Sequence, residues 1–150
     1  MRVIIQRVSE ASVSVDADTI GCIEQGLLVL IGIEDADTAD DVEWLAQKIT
    51  NMRLFSDEQQ LMNQSLAAVN GQILLISQFT LFAQTKKGNR PSFTRAARPE
   101  KAIPLYELMI DQLGKCSGKK IQTGKFGANM RVSLVNDGPV TIFIDSKNKE

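Results

Sequence analysis

Gln72-Ile73-Leu74-Leu75-Ile76-Ser77-Gln78-Phe79-Thr80-Leu81-Phe82 decides how the rest of the chain is read. Four aliphatic residues in succession predict a strand buried on both faces, because a half-buried strand alternates. The run then turns polar without ending: Ser77, Gln78 and Thr80 stand among Phe79, Leu81 and Phe82. In a buried strand each of these polar groups needs a partner, since one left unpaired costs ~1–3 kcal/mol. They are either satisfied inside the core, the commoner state of a buried polar group, or held ready for a ligand.

Working outward, Leu27 to Ile33 has the same unbroken aliphatic character and is expected to neighbour residues 73–76 in the sheet. Upstream of it, residues 2–8 read as a first strand and Ala11 to Val15 as an alternating one. Asp16-Ala17-Asp18 supplies a turn, and Thr19 to Glu24 returns as a third strand. Thr38 can cap a helix with Asp40 and Asp41 in its first turn. Val42, Leu45, Ile49 and Met52 give that helix one apolar stripe ending near Arg53. Residues 54–65 are irregular, and Asn70-Gly71 turns the chain into the stretch quoted above.

Downstream, Gln84 to Arg98 is a long basic loop without periodicity. A second helix starts at Pro99 and presents Ala102, Leu105, Met109 and Leu113. Pro104 is tolerated in its opening turns, and Gly114 to Gly118 closes it. Lys120 to Thr123 forms a short strand, Asn129 to Val135 a longer one, and Val140 to Asp145 the last. Asn136-Asp137-Gly138-Pro139 interrupts between those two. Hairpins dominate this order. The expected fold is α+β: curved antiparallel or mixed β-sheets, barrel-like, with two packed helices, in one domain over residues 1–150.

Composition narrows the chemistry. The chain has no histidine, which removes Ser-His-Asp and Cys-His triads and nearly all catalytic zinc sites. Carboxylates, hydroxyls, amides, Lys, Arg or the substrate's own groups must do the work, and no cofactor or metal is implied. Cys22 and Cys116 lack a CxxC spacing and are expected as reduced, buried or half-buried thiols. No apolar run approaches the ~20 residues that span a bilayer, and Gln6 and Arg7 interrupt any signal-peptide core. A cytoplasmic, non-membrane protein is expected.

Charge is unevenly spread. Residues 1–85 carry four basic and twelve acidic side chains, while residues 86–125 carry ten basic and three acidic ones. A basic segment on an acidic chain fits a local patch for a polyanion, or simply a solvated face. Within it, Lys86, Lys87 and Arg90 suit phosphates, and Phe93 among them could stack on a base. Gly138-Pro139, between two strands, is a place where a cis peptide can occur.

Ser77-Gln78-Phe79-Thr80-Leu81 together with Asn136-Asp137-Gly138-Pro139-Val140-Thr141 resembles the signature pair of the D-aminoacyl-tRNA deacylases. Met1 to Val8, Asn89 to Phe93 and Phe126-Gly127-Ala128-Asn129-Met130 also resemble that family, in order, over Met1 to about Asp145. The resemblance implies a homodimeric cytoplasmic hydrolase of D-aminoacyl-tRNA esters, acting on mischarged glycine too, with active sites at the subunit interface. It implies a cis Gly138-Pro139 that enters the partner's site, holds the substrate's α-amino group and leaves no room for an L side chain. By the same resemblance Ser77, Gln78, Phe79 and Thr80 are expected to line the catalytic cleft. Asn136 belongs to the substrate-binding motif, with Arg7 and Met130 supporting the Gly-Pro loop, and Lys86, Lys87 and Arg90 meet the acceptor stem. Two mechanisms stand: Thr80 as nucleophile, for which the sequence offers no base, or a water assisted by the terminal ribose 2′-hydroxyl, which the family is thought to favour. A non-catalytic, homo-oligomeric module for small ligands or nucleotides is the alternative reading.

Overall fold

The computed structural model describes residues 1–150. Its strands are β1 (Arg2–Val15), β2 (Asp18–Ile23), β3 (Gly26–Gly32), β4 (Phe55–Ser56), β5 (Met62–Gln64), β6 (Gln72–Ser77), β7 (Gln122–Thr123) and β8 (Arg131–Asp145). Its helices are α1 (Ala39–Asn51) and α2 (Pro99–Ser117), and a 3₁₀ turn covers Phe79–Phe82. The expected α+β class holds. Six strands form a mixed sheet in the order β2-β1-β3-β6-β7, with β8 added beside β1. β1 runs antiparallel to β2, β3 and β8, whereas β3–β6 and β6–β7 are parallel. The sheet curls until β2 meets β7. At Gly21 an added Cβ would lie 2.8 Å from the Thr123 carbonyl oxygen, so the barrel nearly closes where only a glycine fits.

The unbroken aliphatic runs do lie side by side, with Leu27 opposite Ile73 and Val29 opposite Leu75. They are buried on both faces because two cores meet at them. Leu27, Val29, Ile31, Ile73 and Leu75 face the larger core beneath the helices. Leu28, Leu74 and Ile76 face the barrel interior. The helices share the larger core through Val42, Leu45 and Ile49 on α1 and Leu105, Met109 and Leu113 on α2. α2 continues through Pro104 and ends at Gly118 in the left-handed conformation.

Several sequence expectations change. The two predicted strands before Asp16 are one 14-residue strand. Val3 and Ile5 face the helical core, whereas Val8, Ala11 and Val13 face the barrel interior, and Arg7 and Val8 are consecutive buried residues at the change of face. The two predicted strands after Asn129 are likewise one, β8, which carries the Gly-Pro unit as a bulge. The stretch 72–82 is not a single strand. It leaves the sheet at Ser77, so Gln78 and Thr80 are half-buried rather than core groups. Both cysteines are free and exposed, not buried: Cys22 alternates outward between the buried Gly21 and Ile23, and Cys116 lies on the exposed side of the last turn of α2. No helix is long and apolar enough to cross a membrane.

Candidate active site

The site begins where β6 stops. Ser77 pairs opposite Ile31, and the Gln78 amide still donates to the Ile31 carbonyl at 2.7 Å. The chain then turns through Phe79–Phe82, and the Gln78 side-chain amide donates to the Thr80 hydroxyl. Phe82 is fully buried and anchors the turn, while Phe79 is 56% exposed. Arg2 braces the turn from behind: its Nη1 donates to the Leu81 carbonyl at 3.0 Å, and its guanidinium lies 4.6 Å from the Phe82 ring centre.

Ser77, Gln78 and Phe79 form one wall of a cleft of about 290 Å3. Ala97 and Ala102 supply a second wall from the start of α2, and Phe126 to Met130 a third. Tyr106 supports this arrangement from below, donating its hydroxyl to the Leu75 carbonyl at 2.9 Å; burial pushes its phenol up to about 12. No ionisable side chain lines the cleft. Thr80 stands beside it with an amide, not a base, as its partner. The cleft can therefore position and polarise a substrate, but it holds no side chain able to take a proton at neutral pH.

The shifted carboxylates lie elsewhere. Burial would raise Asp41, but bonds from Lys147 (2.7 Å), the Ser146 hydroxyl (2.7 Å) and the Thr38 amide (2.8 Å) hold its carboxyl well below the usual range. Burial would likewise raise Asp145, but the Arg2 guanidinium at 2.9 Å holds its carboxyl below the usual range. Both belong to the network that ties the end of β8 to α1 and β1.

Gly138-Pro139 is cis. Gln6 faces Thr141 and Val8 faces Asn136, so two steps along β1 match five along β8, and the Gly-Pro unit bulges out opposite Arg7. The bulge is strapped at both ends. Arg7, only 8% exposed, donates through Nε to the Asp137 carbonyl at 3.0 Å and through Nη1 to the Leu54 carbonyl at 2.7 Å. Asn136 accepts from the Val140 amide at 3.0 Å and donates to the Thr141 hydroxyl at 2.9 Å. Gly138 has φ +131°, and an added Cβ would lie 2.9 Å from an Arg7 nitrogen.

The sequence-named residues therefore form two groups. Ser77, Gln78, Phe79 and Met130 converge on the cleft, with Thr80 next to them. Arg7 and Asn136 brace the bulge at Gly138 and Pro139, which are exposed and do not line the cleft of their own chain. Met130, expected to support the Gly-Pro loop, lines the cleft. Lys86, Lys87 and Arg90 are exposed on the loop after the 3₁₀ turn. Sequence reasoning missed Ala97, just before α2, and Ala102 on it as lining residues; an alanine in such a place gives no signal of its own.

Comparison with known proteins agrees with these two motifs. Residues 4–145 match the family model described as D-Tyr-tRNA(Tyr) deacylase. Proteins named D-aminoacyl-tRNA deacylase from Flavobacterium psychrophilum and Flavobacterium johnsoniae are 58% and 61% identical, each over all of both chains. Among solved structures, the c-Myc DNA Unwinding Element Binding Protein is 40% identical, with a TM-score of 0.89 over 97% of this chain and 98% of that one. A "probable eukaryotic D-amino acid tRNA deacylase", at 18% identity, shares the fold, with a TM-score of 0.82 over 95% of this chain and 97% of that one. A full-length match at this identity, carrying both the Ser77–Leu81 turn and the strapped Gly138-Pro139 bulge, makes this chain a member of the D-Tyr-tRNA(Tyr) deacylase family.

Proposed function

We propose that this chain hydrolyses the ester between a D-amino acid and the 3′ end of tRNA, releasing both and sparing L-aminoacyl-tRNA. The observation that carries the reading is the Gly138-Pro139 bulge, strapped by Arg7 and Asn136 yet absent from the lining of its own cleft. D and L esters share every functional group and differ only in where the side chain points. A rigid backbone wall separates them by clash, whereas added attraction would not. Glycine has no side chain to clash, so glycine mischarged on tRNA is a substrate as well.

The wall comes from a second copy in a homodimer. β8 pairs with β1 alone, and its free side exposes Val135 and Phe143 by 50% and 58%, an apolar strip suited to a partner. In the dimer each Gly138-Pro139 enters the other chain's cleft and meets the substrate's α-amino group. The whole chain acts as one domain, in the cytoplasm where charged tRNA is used.

An uncharged cleft assigns the proton chemistry to the substrate. A water oxygen adds to the ester carbonyl, and the bond to the ribose oxygen breaks. The water proton ends on that ribose oxygen by way of the neighbouring 2′-hydroxyl. Ser77, Gln78, Phe79 and Thr80 position the ester and offer hydrogen bonds to the developing oxyanion.

The test is paired deacylation of D-Tyr-tRNA and L-Tyr-tRNA by wild type and Gly138→Ala. Wild type is expected to release D-tyrosine alone, and Gly138→Ala, which displaces the bulge, to lose discrimination. Background rates on both esters would return the chain to a second reading, a nucleotide- or nucleic-acid-binding protein without hydrolysis. The DNA-binding name of the 40%-identical structure favours hearing that reading. Replacing Lys86, Lys87 and Arg90 by Ala is expected to weaken tRNA binding and flatten its salt dependence.

A further inference from the structure

Phe79, which lines the cleft, meets Phe93. Their ring centres are 5.1 Å apart with planes at 76°. An edge-to-face pair leaves a ring face open, and Phe79 remains more than half exposed. Phe93 is held from both sides. Gln84 and Ser92 exchange two backbone hydrogen bonds (2.7 and 3.0 Å), and the Ala97 amide donates to the Ile33 carbonyl at 2.8 Å. The aromatic pair is therefore fixed although it lies in a long loop.

The residues that flank the cleft lining along the chain are cationic. Arg98, Lys101, Lys125 and Arg131 each sit next in sequence to a cleft-lining residue. All four are exposed and none has an ion-pair partner. Glu34 is the one acidic residue in such a position, and Arg95 takes its carboxylate at 3.0 Å. Meanwhile a cleft of about 290 Å3 is at the small end of ligand sites, ~300–1,000 Å3. A cleft of this size encloses at most the esterified end, so the preceding nucleotide lies outside it.

We propose that the Phe79–Phe93 pair is a stacking platform for the nucleotide that precedes the esterified one, with Arg98, Lys101, Lys125 and Arg131 holding the phosphates around it. The platform rests on the hydrolase reading for its ligand, the single-stranded 3′ end of tRNA. Every base has a π-face, so stacking here accepts that end whatever amino acid it carries. It also gives the protein a hold on the nucleic acid that does not depend on the chirality of the ester.

Two measurements test it. The first compares kcat/KM for D-tyrosyl esters of adenosine and of the trinucleotide CCA. Wild type is expected to favour the trinucleotide by at least about tenfold, as one stacked base allows. In Phe93→Leu the ratio of the two rates collapses to within about twofold, and Phe93→Tyr, which keeps the ring, restores it. A wild-type ratio near one, or an undiminished ratio in a Phe93→Leu protein that melts normally, overturns the platform. The second measurement is binding of uncharged, 5′-labelled CCA against labelled AMP, which needs no hydrolysis. The platform predicts tighter CCA binding, weakened in Phe93→Leu, with a shallower salt slope in Arg98→Ser/Lys101→Ser. Equal binding of the two probes overturns it. Hydrolysis of neither ester with a retained CCA preference overturns the hydrolase reading and keeps the platform.

Discussion

Two neighbouring regions of this molecule treat charge in opposite ways. Behind the 3₁₀ turn, Asp37, Asp41, Asp145, Ser146, Lys147 and the Met1 amino group form a compact ionic network. In front of the turn lies a cleft without one ionisable side chain. Arg2 alone touches both, through Asp145 and the Leu81 carbonyl. Strongly shifted carboxylates commonly mark a catalytic centre. Here they mark a structural joint, and the candidate cleft is lined by no titrating side chain. That fits an ester already activated by its ribose, for which placement does more than a strong base.

Separate substitutions can break this division. The largest effect is expected for Asp41→Asn. It removes the charge that faces Lys147 and leaves one acceptor oxygen where Lys147, Ser146 and Thr38 share two, and should cost about 2–3 kcal/mol of stability. Thermal melting should fall by roughly 5–10 °C for a chain of this length. Deacylation measured below the melt should stay at the wild-type rate, and a matching fall in kcat would merge the two regions into one.

Acid tests the same joint without mutation. The folded-state carboxyls of Asp41 and Asp145 lie below their ordinary value. Their contribution is complete above about pH 4 and is lost as pH falls through that value toward the folded one. Melting temperatures should therefore hold from neutrality to about pH 5 and drop below about pH 4. Asp41→Asn should flatten part of that drop, and an unaltered acid profile would remove Asp41 from the account.

Arg2→Leu is the substitution expected to affect both regions. Loss of its bonds to Asp145 and Leu81 should cost about 1–2 kcal/mol. It should also lower kcat several-fold by loosening the turn that carries Phe79 and Thr80. An effect on stability alone would show that the turn holds its shape without the brace.

Smaller still is the expected effect of Thr80→Ala. A positioning role predicts less than about a hundredfold loss of kcat, whereas a nucleophile predicts near-complete loss with an intact fold. The smallest effect is the pH dependence of the cleft itself. Between about pH 5.5 and 8, kcat/KM should show no inflection from a protein group, only that of the substrate's α-amine. A protein-derived inflection would contradict the uncharged cleft.

Much of this was legible along the chain. The aliphatic runs at 27–33 and 73–76 predicted adjacent strands buried on both faces, and they are adjacent. The capped stripe of Val42, Leu45 and Ile49 predicted α1. The missing histidine excluded triads before any geometry was known. Less legible was where regular structure ends. Residues 79–82 keep their apolar character into the 3₁₀ turn, because Phe82 anchors the turn in the core as a strand residue would. The interruption at 136–139 looked like a strand end, because pairing on both sides of a bulge is invisible to a local window.

The sequence by itself determined which elements form, which chemistry is missing and which family motifs are present. Periodicity, composition and turn residues act over a few positions and can be read there. Only the tertiary structure decided what comes together. It set Ala97, Ala102 and Met130 around Ser77 and kept Gly138-Pro139 out of the lining of its own chain's cleft. The pairing of β1 with β8 and the nearly closed barrel fix those positions. Such contacts join residues more than a hundred positions apart, where a local pattern carries no information.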